Sequence, residues 1–322
     1  MEEFHIIEDE LGRKFKTLRL SVTPICNFAC EYCVGGLETH TGKTKQYNTK
    51  LDTFKKYVYE IHRILNLHKV RLTGGEPLLY HEISQLIRIL KEEIGIPHVS
   101  LTTNGSRLKK VASALKQSGL DSLNLSLDAI DSAVFYKMSK RNRLDEVIKG
   151  LQLSLEAGIQ LKLNCTVMRG FNESQILPLL EFSGSRKIPI RYLEFMQMGA
   201  YYQNYKSFLV SQDEILSVIS HKYKIRELGR KKSSTSYEYE TEEGYLFGII
   251  ANESSPFCKD CDRLRLDSKG VLYGCLSSNH GFPLEGIENL REVLPSVLQK
   301  AIFQKQKERF IGSPITMISV GG

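Results

Sequence analysis

Six of the chain's seven cysteines fall into two groups of three. The first is Cys26-Asn-Phe-Ala-Cys30-Glu-Tyr-Cys33, a C-x3-C-x2-C spacing. The second is Cys258-Lys-Asp-Cys261 followed by Cys275, a C-x2-C-x13-C spacing. Three thiolates on one loop can each take one iron of a four-iron cluster and leave the fourth iron open to a ligand. Zinc asks for a fourth protein ligand, and none stands at a usual offset from the first triad; His40 reads as a loop residue. The second triad keeps two readings open at this point. One is a zinc ribbon completed by His280. The other is a second cluster, with Arg263 and Arg265 at its edge able to grip phosphates bidentately. Cys165 is alone and reads as a small buried hydrophobe.

The rest of the composition narrows the setting. The chain has 322 residues, 41% hydrophobic and 25% charged, which is a globular composition. No apolar run reaches membrane-spanning length, so no membrane partner is expected. The acidic opening MEEFHIIEDE lacks a signal pattern, and the odd thiol count does not suit a disulfide framework; both predict a reducing, cytoplasmic setting. The net charge of +7 permits an anionic partner, but the charges are dispersed, which argues against nucleic acid. Gly36 to Thr44 looks like a phosphate-binding loop, yet it has five residues between its glycines and follows no strand.

Hydrophobic patterning predicts the elements that must position the cysteines. Strands are expected at 17–23, 69–73, 98–104, 122–128, 161–168 and 189–196. Helices are expected at 52–66, 82–94, 107–118, 144–157, 174–183 and 211–222. Gly95, Gly119 and Gly158 stand where helix C-caps belong. This alternation implies an α/β domain with a parallel sheet. Beyond about residue 200 the rhythm fades, and KKSSTSYEYETEEG reads as a loop or linker. The chain therefore divides near residue 230, into 1–230 and 231–322.

The strands alternate where buried parallel strands normally read as continuous apolar runs. Thr17, Arg19, Ser21 and Thr23 share one face of the first strand, and Lys69, Arg71 and Thr73 one face of the second. Thr102 lies on such a face in the third strand, Ser126 in the fourth and Lys162 in the fifth. The apolar face must meet the helices, so the polar face predicts a cationic lumen, as in a barrel or open barrel.

The first triad, Thr73-Gly74-Gly75-Glu76-Pro77 at the end of the second strand, Asn104-Gly105, and Ser126-Leu-Asp128 together resemble the radical S-adenosylmethionine superfamily. Phe257 to Leu266, Gly270, Cys275-Leu276, Leu11-Gly12-Arg13 and Ser319-Val320-Gly321-Gly322 closely resemble the GTP 3′,8-cyclase family of molybdenum cofactor biosynthesis. The resemblance covers nearly the whole chain and favours a second cluster over zinc.

It implies an incomplete (β/α)6 barrel closed by a C-terminal extension, two [4Fe-4S] clusters and S-adenosylmethionine. It implies reductive cleavage to a 5′-deoxyadenosyl radical, removal of the 3′-hydrogen of GTP, and attack on guanine C8. The product is (8S)-3′,8-cyclo-7,8-dihydro-GTP. By position, Cys26, Cys30 and Cys33 would hold the first cluster and Cys258, Cys261 and Cys275 the second. Tyr32, Gly74, Gly75, Glu76, Ser126 and Met196 match cofactor contacts. Arg19, Lys69, Arg71, Thr102, Lys162, Arg191, Arg263, Leu264 and Arg265 match the GTP side. Arg263, Arg265, Gly321 and Gly322 match catalytic positions. An electron donor of flavodoxin or ferredoxin type and a downstream cyclic pyranopterin monophosphate synthase are the implied partners, and a homodimer is left open. The readings to be distinguished are a related radical enzyme acting on another nucleotide or a peptide, and a zinc protein that binds nucleic acid. Arg13 alone reads as a turn residue.

Overall fold

The computed structural model describes residues 7–36 and 49–320. His40, most of the loop resembling a phosphate site, and Gly321 and Gly322 lie outside them. Among the described residues, twelve strands form one sheet: β1 (Thr17–Ser21), β2 (Lys69–Thr73), β3 (His98–Thr103), β4 (Ser122–Ser126), β5 (Gln160–Val167), β6 (Ile190–Glu194), β7 (Ile225–Gly229), β8 (Tyr237–Thr241), β9 (Leu246–Ile250), β10 (Arg263–Leu266), β11 (Val271–Tyr273) and β12 (Phe282–Pro283). Their order is β12-β11-β10-β1-β2-β3-β4-β5-β6-β9-β8-β7. β1 to β6 are successive parallel neighbours joined by helical crossovers, the open arc of an incomplete (β/α)6 barrel. The C-terminal region extends both edges: β9 pairs parallel to β6, and β10 pairs parallel to β1.

The core lies between the strands' apolar faces and the helices. Leu18, Leu20, Val70, Leu72, Val99, Leu101, Leu123 and Leu125 are fully buried there. Each such side chain contributes about 1.5–3 kcal/mol by leaving water. The helix Leu51–Leu65 shows the matching pattern, burying Leu51, Phe54, Tyr57, Val58, Ile61, Ile64 and Leu65 along one stripe, and it stops at left-handed Asn66. Cys165 is buried in this core, as its position on the apolar face predicts.

Three local departures have physical reasons. The expected helix over 82–94 is α-helical only over Ile83–Arg88. It then widens, so that the Ile94 N–H reaches the Ile89 carbonyl five residues back. The wider turn lets Ile89, Leu90 and Ile94 all stay buried. A helix at Ser132–Ser139 is too short to give a clear period; the Asp131 carboxylate caps it, accepting from Ala133 and Val134 N–H groups at 2.9 Å. The linker reading of KKSSTSYEYETEEG is overturned, because Tyr237–Thr241 is β8, paired antiparallel with β7 and β9. Its glutamates are half-buried on the face opposite Tyr239, with Glu238 in one row with Gly248 and Arg191, while Tyr239 is buried and stacks on Phe247 at 5.2 Å.

The helix Leu290–Phe303 packs against the turn that precedes Cys275. A Cβ added at Gly274 would fall 1.7 Å from the Ala301 carbonyl oxygen. Gly274→Ala is therefore expected to push this helix off the sheet and lower the unfolding free energy by about 1–3 kcal/mol, as overpacking does. Thermal unfolding with parallel iron analysis checks this, and loss of metal at the second triad should accompany the drop.

Candidate functional site

The first triad follows β1 and is built onto the end of β2. Gly75 N–H donates to Thr23 O at 2.7 Å, and Glu76 N–H to Ile25 O at 2.8 Å. Only glycine permits this approach: a Cβ at Gly75 would sit 2.2 Å from Ile25 O, and Gly74 has φ +150. Glu76 is 1% exposed and accepts from Leu78 N–H (2.9 Å), Thr103 Oγ1 (2.6 Å) and Asn104 N–H (2.8 Å). It thereby fixes Asn104, whose Nδ2 donates to Asn27 Oδ1 at 3.0 Å and to Cys26 Sγ at 3.8 Å. Burial outweighs these bonds and raises the Glu76 carboxyl to about 7. Arg141 Nε holds Asn27 O at 2.9 Å. Asp128 accepts from Thr166 N–H at 2.8 Å; burial raises it to about 7, and the Tyr32 hydroxyl beside it opposes the rise.

The second triad is braced by long-range bonds. Arg13 is 5% exposed, and its Nη1 donates to Cys258 O at 2.7 Å and Gln306 O at 2.8 Å while Nε donates to Asp9 Oδ2. This corrects its reading as a turn residue. Asp260 accepts from Arg230 Nη1 at 2.9 Å and Ser233 N–H at 2.8 Å. Cys261 Sγ receives Lys305 Nζ at 3.1 Å and Arg263 Nη1 at 3.4 Å.

Parallel register fixes how the two triads face each other. Arg265 pairs with Arg19, and Arg19 with Arg71, so three arginines form one row across β10, β1 and β2. Arg263, Thr17 and Lys69 form the next row. Cys261 precedes β10, whereas Cys26 follows β1. The two strands run the same way, so the triads lie at opposite ends of the lumen. A five-residue strand at about 3.3 Å per residue puts roughly 17 Å between those ends. One open-mouthed cavity joins them. All six clustered cysteines line it. So do Tyr32, Gly74, Gly75, Glu76, Ser126 and Met196, and on the cationic side Arg19, Arg71, Thr102, Arg191, Arg263 and Arg265.

Three further positions are placed differently. Lys69 and Lys162 do not line the cavity itself, although the charges of Arg71 and Arg191 act on both. The Leu264 side chain points to the helix-packed face and is fully buried, leaving only its backbone toward the arginines. Asn104, Asp128, Asn164 and Lys305 also line the cavity.

Like charges side by side on a sheet are costly. Burial, then repulsion from neighbouring arginines, depresses Arg19 well below its ordinary value; the same causes bring Arg71 to about 9 and Lys69 to about 8. Burial brings Arg265 to about 10 despite the Cys275 and Cys261 sulfurs beside it. A polyanion in the cavity would relieve this.

The thiols at each end fit iron–sulfur clusters. Burial raises Cys26 to about 11 and Cys33 to about 12, and it raises Cys258, beside Cys275 and Cys261, to about 12. Burial also acts on Cys261, but Lys305 and Arg263 pull it down to about 6. Buried thiols that repel one another as thiolates gain most from a cationic iron core. Among the described residues no three His, Cys, Asp or Glu side chains are grouped to hold a single metal ion. A cubane cluster does not need that convergence, since each thiolate takes its own iron. His280 is exposed, away from the cavity, which removes the fourth ligand of the zinc reading.

A parallel βα arc with a three-cysteine loop after its first strand and a glycine pair beneath that loop is the architecture of a radical S-adenosylmethionine enzyme. The Radical SAM superfamily profile matches residues 20–183, and the Molybdenum Cofactor Synthesis C profile matches 188–311. The GTP 3′,8-cyclase of Nautilia profundicola is 38% identical over 288 residues, covering 88% of this chain and 87% of that protein. That of Aquifex aeolicus is 33% identical over 303 residues, covering 94% and 93%. Among solved structures, Streptococcus suis SuiB bound to S-adenosylmethionine superposes with a TM-score of 0.62 at 18% identity; the match covers 87% of this chain and 65% of that one. Native anSMEcpe with bound AdoMet gives 0.59 at 16% identity, covering 90% and 81%. Both share the fold. The chain belongs to the GTP 3′,8-cyclase family.

Arg71→Gln removes one like charge, so the ligand-free protein is expected to melt no lower than the parent while tripolyphosphate binds at least tenfold more weakly, the scale of one charged hydrogen bond. Calorimetry and melting curves check both halves. Lys69 supplies a pH dependence. Its folded value, about 8, lies below its ordinary 10.5, so between these values the unfolded chain binds more protons and ligand-free stability rises with pH. A bound polyanion raises the Lys69 value again. Tripolyphosphate binding near pH 9 should therefore take up protons, read as buffer-dependent binding heat, and Lys69→Met should reduce that uptake.

Proposed function

We propose that the chain converts GTP to (8S)-3′,8-cyclo-7,8-dihydro-GTP in molybdenum cofactor biosynthesis, with GTP held between its two triads. The observation that carries this reading is the single cavity that both triads and the arginine row line. Residues 1–230 would carry the radical chemistry, and residues 231–322 the second cluster and much of the substrate contact. The clusters and S-adenosylmethionine, when bound, supply the one-electron chemistry: reductive cleavage to a 5′-deoxyadenosyl radical at the first triad, and an open iron to anchor guanine at the second.

The chain's own residues position and enclose. Cys26, Cys30 and Cys33 hold the first cluster. Beside them the Gly74-Gly75 backbone, Glu76, Ser126, Tyr32 and Met196 form the cofactor end, where strand C-termini converge. Arg19, Arg71, Arg191, Arg263 and Arg265 grip the triphosphate, with Lys69 and Lys162 reinforcing the field and Thr102 on the same wall. Cys258, Cys261 and Cys275 hold the second cluster. Val320 is buried, and its carbonyl accepts from Arg265 Nη1 at 3.4 Å. Gly321 and Gly322, which the family resemblance assigns to catalysis, lie outside the described residues. Five arginines suit a triphosphate better than a peptide. The electron comes from a donor of flavodoxin or ferredoxin type, and the product passes to cyclic pyranopterin monophosphate synthase. No described helix is long and apolar enough to cross a membrane.

Anaerobically reconstituted protein with S-adenosylmethionine, dithionite and GTP should yield 5′-deoxyadenosine and the cyclised nucleotide together; 5′-deoxyadenosine without cyclised product would sink the substrate assignment. Arg265→Ala is expected to cut cyclised product at least tenfold while slow, uncoupled cofactor cleavage continues, on the scale of one charged hydrogen bond lost. Equal loss of both products would place the arginine in folding or cluster binding instead.

A further inference from the structure

Lys305 is a buried lysine that sequence reasoning gave no role. It follows the helix Leu290–Phe303, and its N–H bonds Ile302 O at 2.9 Å. Its side chain is 6% exposed and passes 5.7 Å from the centre of the Phe15 ring. Nζ donates to Arg263 O at 2.7 Å and to Cys261 Sγ at 3.1 Å. The carbonyl of the next residue, Gln306, accepts from the Arg13 nitrogen that also holds Cys258 O. Residues 305 and 306 thus brace two of the three second-triad cysteines. At the first triad, by contrast, the donors to Cys26 Sγ are neutral: Phe28 N–H at 3.4 Å and Asn104 Nδ2 at 3.8 Å.

We propose that Lys305 is a positioning residue that fixes the Cys261 sulfur and raises the reduction potential of the cluster held by Cys258, Cys261 and Cys275. This rests on reading that triad as a cluster site. Reduction adds one negative charge to the cluster. A cation fixed by a backbone carbonyl beside a ligand sulfur stabilises the reduced form more than the oxidised one. The second cluster is thereby set to a higher potential than a neutral donor would give.

The test uses the full chain, reconstituted anaerobically, with Cys26, Cys30 and Cys33 replaced by Ala so that only the second cluster forms. Lys305→Met and Lys305→Arg are compared with this parent by iron and sulfide analysis and by a reductive titration followed by electron paramagnetic resonance. Lys305→Met is expected to retain about four irons. Its midpoint should fall by the equivalent of at least a tenfold change in the one-electron equilibrium, about 59 mV. Lys305→Arg should restore most of the shift. An unmoved midpoint in an iron-replete Lys305→Met variant would overturn the proposal. So would equal loss of iron in both variants, which would make Lys305 a packing residue. A parent that binds no iron would overturn the second-cluster reading itself.

Discussion

The site depends on one pairing, the parallel docking of β10 against β1. The pairing spans only four residue pairs, Thr17 with Arg263 through Leu20 with Leu266. It places Arg265 beside Arg19, sends Leu264 and Leu266 into the core, and brings Cys261 to the end of the lumen opposite Cys26. A slip of one residue would turn the arginines toward the helices and the leucines toward the cavity. The burial of both leucines is thus what holds the arginines in register, and the second triad reaches the cavity only because the core demands it.

That arrangement divides the cavity electrically. Toward the C-terminal ends of the strands lie the first three thiols, Glu76 and Asp128, whose carboxyls burial keeps near 7. Below them lie the arginines; Arg19, Arg71, Arg191 and Arg265 are depressed by burial, and Arg19, Arg71 and Arg265 also by neighbouring arginines. Self-repulsion in a buried cation row costs folding stability, and a ligand carrying several negative charges offsets it. In the proposed reading, such a ligand would reach from a radical source at one end to phosphate-binding cations and a second metal site at the other.

Much of this was legible in the sequence because strand side chains alternate strictly. Parity alone put Arg19, Arg71 and Thr102 on the lumen side and Cys165 in the core, and the cysteine spacings named both ends. The parts that stayed hidden have no local signal. Arg13 and Lys305 act across 245 and 44 residues, so nothing near them reveals the bonds to Cys258 and Cys261. β8 was masked by the glutamates that occupy the face opposite Tyr239. Leu264 illustrates the opposite error: its motif neighbours are lumen residues, but its own parity assigns it to the core. Parity applied to Arg263-Leu-Arg would have separated it from them.

The central claim is that radical source and nucleotide share one enclosed space, and isotope transfer tests it most directly. With GTP deuterated at C3′, the account predicts one deuterium in each 5′-deoxyadenosine formed alongside cyclised product. Cyclised nucleotide accompanied by 5′-deoxyadenosine carrying only solvent-derived hydrogen would contradict it.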